Sequence, residues 1–254
     1  MNTIGPLSPE RHTGKCWKRF TSYDFSAKTQ LAPLTAAELL KSVHAMPLCF
    51  ARKDTRFYLA GLLAPKPGKN WFVGPDGRWL GGYVPACFRS HPFSLSKIED
   101  FDKPILCVNE SSGLISDTEG EPLFNPDGQL SNAVSQVLVF LQEVERNKAI
   151  TQTGVDALAE AGVIAPWPIK IKAGATEMAV AGVYRIDEAK FAGLNDAVFL
   201  GLRKGQALPI AWAQLFSMGN VGVLSHLAKM RQPKKAPAAQ GISGIWGDDD
   251  MFRF

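Results

Sequence analysis

A chain of 254 residues, 46% hydrophobic and 20% charged, is long enough to bury a sizeable core as one large domain or two small ones. The formal net charge of +4 and a pI near 8.8 are mildly basic. Lys and Arg are scattered, however, and form no stripe interleaved with aromatics, so no nucleic-acid partner is expected.

No segment reaches about 18 uninterrupted apolar residues, so no transmembrane helix is expected. The start, M-N-T-I-G-P-L-S-P-E-R-H, has no apolar stretch behind a basic region. Synthesis in the cytoplasm without a Sec signal follows, and residence at the cell surface or in a virion would need another route. Cys16, Cys49, Cys87 and Cys107 make no C-x-x-C pair, which points to buried free thiols instead of a zinc knuckle or a redox dithiol. His12, His44, His91 and His226 show no metal-ligand spacing, and neither metal nor cofactor is expected.

Residues 1–34 are rich in Pro, Ser and Thr with isolated aromatics (Trp17, Phe20, Tyr23, Phe25), the pattern of an extended arm laid on the body. Thr35 and Glu38 have capping-box spacing and open a short helix through about residue 43. Residues 48–52 and 56–63 form a hairpin about Lys53-Asp54-Thr55, and 71–73 extends its sheet up to a Pro75-Asp76-Gly77 turn. One or two helical turns follow Pro85 and stop at Pro92. Residues 93–98 and 104–109 read as two more strands, the second of them central.

After a turn-rich connection, Val134, Val137, Leu138, Leu141 and Val144 trace one stripe of an amphipathic helix through about residue 148. A second helix spans 151–161, with Gly162 as its C′ residue. Residues 169–173 and 178–186 make another hairpin. Four short helices follow at about 187–192, 195–203, 206–218 and 220–229, punctuated by glycines. Strands followed by helices predict an α+β fold: a mixed or antiparallel sheet, a C-terminal cluster of short helices, and an extended C-terminal tail. The expected division is a domain over 1–230, then a linker and docking tail over 231–254. In that tail Ile242, Ile245, Trp246, Met251, Phe252 and Phe254 flank an acidic triplet and are the expected partner-binding residues.

The densest window is residues 70–95, N-W-F-V-G-P-D-G-R-W-L-G-G-Y-V-P-A-C-F-R-S-H-P-F-S-L. Cys87 and His91, four apart, would share a helix face as nucleophile and base, but no orienting acid is assignable and such a pair is more often a buried thiol beside a half-buried histidine. Glu119 and Glu121 are either an acid pair or solvated turn residues. Arg89 lies among Trp79, Tyr83 and Phe93, where a guanidinium can stack on rings or pair with a carboxylate such as Glu121. Such contacts would pin the glycine-rich loop to the sheet, the role favoured for Arg89. Arg89, Glu121, Trp79 and Tyr83 are the candidate set if the loop binds a ligand instead. No catalytic residue is assigned.

The blocks D-G-R-W-L-G-G-Y-V-P-A-C-F-R-S-H-P-F, E-G-E-P-L-F-N-P-D-G and G-Q-A-L-P-I-A-W-A-Q-L-F-S-M-G-N, in this order, resemble the SapC family of bacterial proteins from about Pro6 to Met230. The positions that carry the resemblance are Gly77, Trp79, Tyr83, Pro85, Arg89, Pro92 and Phe93, then Gly120, Glu121, Pro122, Leu123 and Phe124, then Ser217 and Gly219. The resemblance implies an association with bacterial surface layers and no established catalytic residues. The expected function is a non-enzymatic structural or interaction protein of SapC type. It would take part in a larger assembly, such as a surface layer or a phage-like particle, through a protein partner or self-assembly at the tail. The alternative is an enzyme or a small-molecule or peptide binder with its pocket around the 77–93 loop.

Overall fold

The structure, a computed structural model, describes residues 4–97, 104–173 and 176–230. The tail residues Ile242, Ile245, Trp246, Met251, Phe252 and Phe254 lie outside the described residues.

Continuous apolar runs in Leu48–Lys53 and Arg56–Leu62, buried on both faces away from the polar turn, form an antiparallel hairpin, registered from Leu48↔Gly61 to Lys53↔Arg56. It is the centre of a five-stranded antiparallel sheet in the order Ile164–Pro166, Val183–Ile186, Leu48–Lys53, Arg56–Leu62, Leu31–Pro33. A second sheet places Ile105–Asn109 between Ile4–Pro6 and Phe93–Ser96, in the central position the sequence predicts. A third, very short, sheet lays Cys16–Trp17 between Ile115–Ser116 and Glu121–Pro122. Lys170–Ala173 and Thr176–Ala179 pair as a separate hairpin. The short helices Glu188–Ala192, Asp196–Lys204, Leu208–Ser217 and Val221–Met230 complete an α+β fold.

Three expectations are corrected. The long helix does not stop near residue 148: it runs unbroken over Asn132–Glu160, with Ser131 Oγ accepting from Val134 N as its N-cap. Neither Pro nor Gly interrupts it at residues 148–151. There the buried Thr151 hydroxyl donates to Asn147 O (2.6 Å) and accepts from Ala36 N (2.7 Å), which ties the turn to the body. Residues 178–186 are not one strand, because Gly182 adopts φ +73° and separates Thr176–Ala179 from Val183–Ile186, which joins the central sheet. Residues 71–73 do not extend that sheet: Val73 makes an isolated bridge to Trp79 across the Pro75-Asp76-Gly77 turn.

The long helix joins two cores. Its first half sends Val134 and Leu141 into a small core with Trp17, Phe93, Val108 and Leu123. Its second half sends Val155 and Leu158 into the main core, between the five-stranded sheet and the C-terminal helices, with Phe50, Leu62, Ile186 and Ile210. Residues 83–90 and the arm around Phe20 meet the helix between these two cores, at Phe140.

Candidate functional site

The capping box at Thr35 has a role beyond its own helix. Glu38 is buried, and its Oε2 accepts from Thr35 N (2.9 Å) and Thr35 Oγ1 (3.0 Å). Its Oε1 reaches across to the motif loop, accepting from Tyr83 OH (3.0 Å) and Ala86 N (2.7 Å). Four donors thus satisfy one buried carboxylate, as burial of a charge requires. Burial, with the Glu38 charge added, pushes the Tyr83 phenol well above its usual range, so the phenol stays protonated and donates to Glu38.

Tyr83 OH in turn accepts from Arg89 Nη2, while Arg89 Nε donates to Val84 O (3.0 Å). The guanidinium carbon lies 5.2 Å from the centre of the Tyr83 ring and 5.7 Å from that of Phe140. Trp79 donates its indole N–H to Tyr83 O (2.8 Å) and stacks on the buried Phe72. Gly77, at φ +76°, brings its carbonyl to Tyr23 N (2.7 Å), and a Cβ there would stand 2.1 Å from Ser22 Oγ. These contacts lay the N-terminal arm across the loop.

Arg89, Tyr83 and Trp79 are therefore brought together, but Glu121 is not their partner. The strand pairing of Cys16–Trp17 with Glu121–Pro122 delivers Arg19 to Glu121 instead, Nε to Oε1 at 2.7 Å. The neighbouring Glu119 pairs with Lys18 (3.2 Å), so the two glutamates are surface ion-pair partners and not an acid pair. Arg19 itself lines an open cleft of about 470 Å³ together with Arg89, Trp17, Phe20, Tyr23 and Phe140. A smaller cavity of about 220 Å³, with Glu38, Lys41 and Tyr83 in its wall, adjoins on the other side of Arg89 and Phe140. Sequence reasoning missed Glu38, Arg19 and Phe140 as parts of this region. The aromatic density of the arm was a usable signal, but it did not say which surface the arm covers.

Cys87 and His91 do not form a nucleophile and base. The helix at Ala86–Arg89 is a single turn that ends before His91. Although residue Cys87 as a whole is solvent-exposed, desolvation of its thiol, with the Glu38 charge added, pushes it up to about 12. The His91 ring lies flat on Phe25, centroids 3.8 Å apart, and burial holds its imidazole below the usual range.

The last motif block is a staple with an exposed outer side. From Leu208–Ser217, the buried Gln214 accepts from Ile186 N (2.8 Å) and donates to Leu48 O (3.3 Å), and Ser217 Oγ accepts from Leu48 N (2.9 Å). Asn220 donates to Val43 O (2.6 Å) and Met46 O (3.2 Å). On the outer side, Trp212 and Phe216 stack with centroids 6.0 Å apart, and the buried Phe191 links Trp212 to Phe199. Phe216 is 73% exposed and Trp212 43%, and Val198, Phe199 and Leu200 on the preceding helix are exposed too, Phe199 being linked to Trp212 through Phe191. Among the described residues no single helix is long and apolar enough to cross a membrane.

No curated protein and no solved structure is significantly similar to the chain. The SapC family model matches residues 7–224, which takes in the arm, the Arg89 loop, the long helix and the Gln214–Asn220 staple. With most of its length matched in this way, the chain belongs to the SapC family.

Proposed function

We propose that this chain is a non-enzymatic interaction protein that joins a larger assembly through the outer aromatic side of its C-terminal helices, with the 231–254 segment adding to the contact. The observation that carries the reading is the linked set Phe199, Phe191, Trp212 and Phe216, whose outer rings stay exposed although the main core lies directly beneath. Exposed contiguous aromatics of this kind dominate interface energies and are unfavourable in water without a partner. The motif-rich loop supports the same reading, since Tyr83 is committed to Glu38, Trp79 to the loop's own Tyr83 O, and the Cys87 thiol is poorly suited to nucleophilic attack.

The assembly we favour is a surface layer, after the association that names the family; a phage-like particle is the other form it would take. Ile242, Ile245, Trp246, Met251, Phe252 and Phe254 supply further apolar anchors for the same partner, whether that is a second copy or a different subunit. The test is gel filtration with light scattering on extracts of cells carrying the tagged full chain. We expect it in a complex far heavier than the 27.6 kDa monomer, and released from that complex by Trp212→Ser with Phe216→Ser. A monomer in the extract, or a double variant that stays in the complex, would contradict the proposal.

A further inference from the structure

We propose that the cleft between Arg19 and Arg89 is a binding site for a small aromatic monocarboxylate. This inference does not rest on the C-terminal interface and goes beyond it.

Arg89 is fixed before any ligand arrives. Its Nε is spent on Val84 O and its Nη2 on Tyr83 OH, and its plane is held against Tyr83 and Phe140. Among the described residues nothing accepts from its Nη1, so one edge of the guanidinium keeps donors for an incoming acceptor. Arg19 contributes a second guanidinium to the same cleft, supported on the Trp17 ring at 5.4 Å and committed to Glu121 through Nε alone. A planar fork of N–H donors matches a carboxylate, and a preorganised one loses little side-chain freedom on binding.

The rest of the wall selects the body of the ligand. Phe20, Tyr23 and Phe140 are half-buried, and Phe20 already meets Tyr23 edge to face at 5.3 Å. Rings on several sides favour a flat aromatic group over a sugar or a flexible chain. About 470 Å³ lies in the range of small-molecule sites and suits one such molecule.

Local charge limits the ligand to a monoanion. Glu121 neutralises Arg19, and Glu38 faces Arg89 from behind Tyr83, in the neighbouring cavity. A phosphate ester or polyphosphate would bring more negative charge than the pair of arginines leaves uncompensated.

Titration calorimetry of the full chain with N-acetyl-L-phenylalanine tests the proposal. The matched probes are acetate and inorganic phosphate, which lack the ring, and 2-phenylethanol, which lacks the carboxylate. Saturable binding is expected for the aromatic carboxylate, with each matched probe weaker by about tenfold or more. Arg89→Met should weaken binding by about tenfold, and Arg19→Met by a smaller factor of about three. Because Arg89 also braces Tyr83, Arg19→Met and Phe20→Ala on the arm carry the test if the Arg89 variant does not fold. Overturning results are no saturation up to about 10 mM, phosphate binding as tightly as the aromatic acid, or affinity indifferent to the arm variants.

Discussion

The Arg89 loop and the outer side of the C-terminal helices differ in a way that reverses first impressions. The loop is crowded with glycines, prolines, aromatics and arginines, yet most of its conspicuous groups have a partner inside the chain: Tyr83 on Glu38, Trp79 on Tyr83 O, Ala86 N on Glu38. The helices have an ordinary apolar sequence, yet they leave Phe216, Trp212 and Phe199 in contact with water. Motif density here reports a demanding local fold, whereas the exposed rings are what the proposed partner surface rests on. Beside the loop lies the Arg19–Arg89 cleft, where a structurally fixed arginine keeps donors free.

If the loop is a fold-holding device, breaking its hub should cost most. Glu38→Ala removes the acceptor of four donors, Thr35 N, Thr35 Oγ1, Tyr83 OH and Ala86 N. Loss of about 3 kcal/mol is expected in urea unfolding, and a loss below about 1 kcal/mol would mean the network relaxes without it. Gly120→Ala comes next. With φ at +111° and a Cβ that would stand 2.3 Å from Trp17 O, it should lose about 2 kcal/mol in the same assay.

His91 sharpens the contrast through pH. Burial lowers its folded pKa, so the unfolded chain takes up the proton first as pH falls below the usual value of 6.5. Its stabilising contribution is present above pH 6.5 and is lost as pH falls through the depressed folded value. The wild-type chain should therefore lose more stability than His91→Phe on going from pH 7 to pH 5, by about 1 kcal/mol or less, read as the difference between two urea midpoints. The smallest stability effect belongs to the outer helices. Phe216→Ser should change unfolding free energy by no more than about 0.5 kcal/mol while weakening assembly, because the ring packs on little of its own chain.

Local features were legible in the residues. The Thr35–Glu38 box, the 48–62 hairpin, the central strand at 105–109 and the four C-terminal helices all follow from capping, turn chemistry and period. What the sequence does not encode locally is reach. Glu38 reads as a cap, and nothing in the box says that its other oxygen crosses to Tyr83 and Ala86. The helix through Thr151 was hidden because its anchor there, Ala36 N, is 115 residues away. Arg19 was missed because an extended arm has no period to reveal its covered face; the pairing of Cys16–Trp17 with Glu121–Pro122 and the Tyr23–Gly77 contact bring it to the same cleft as Arg89. Polarity misleads as well: the polar Gln214 faces inward and the apolar Phe216 outward, the reverse of what their side chains suggest in the string.

The central claim is that the outer helices, and not the motif loop, meet the protein partner. Photo-crosslinking tests it most directly, with benzoylphenylalanine placed at Phe216 or at Phe140 of the full chain in its own cells. The account predicts a discrete protein adduct from position 216 and none from position 140. An adduct from 140 alone, or only lipid adducts from 216, would contradict it.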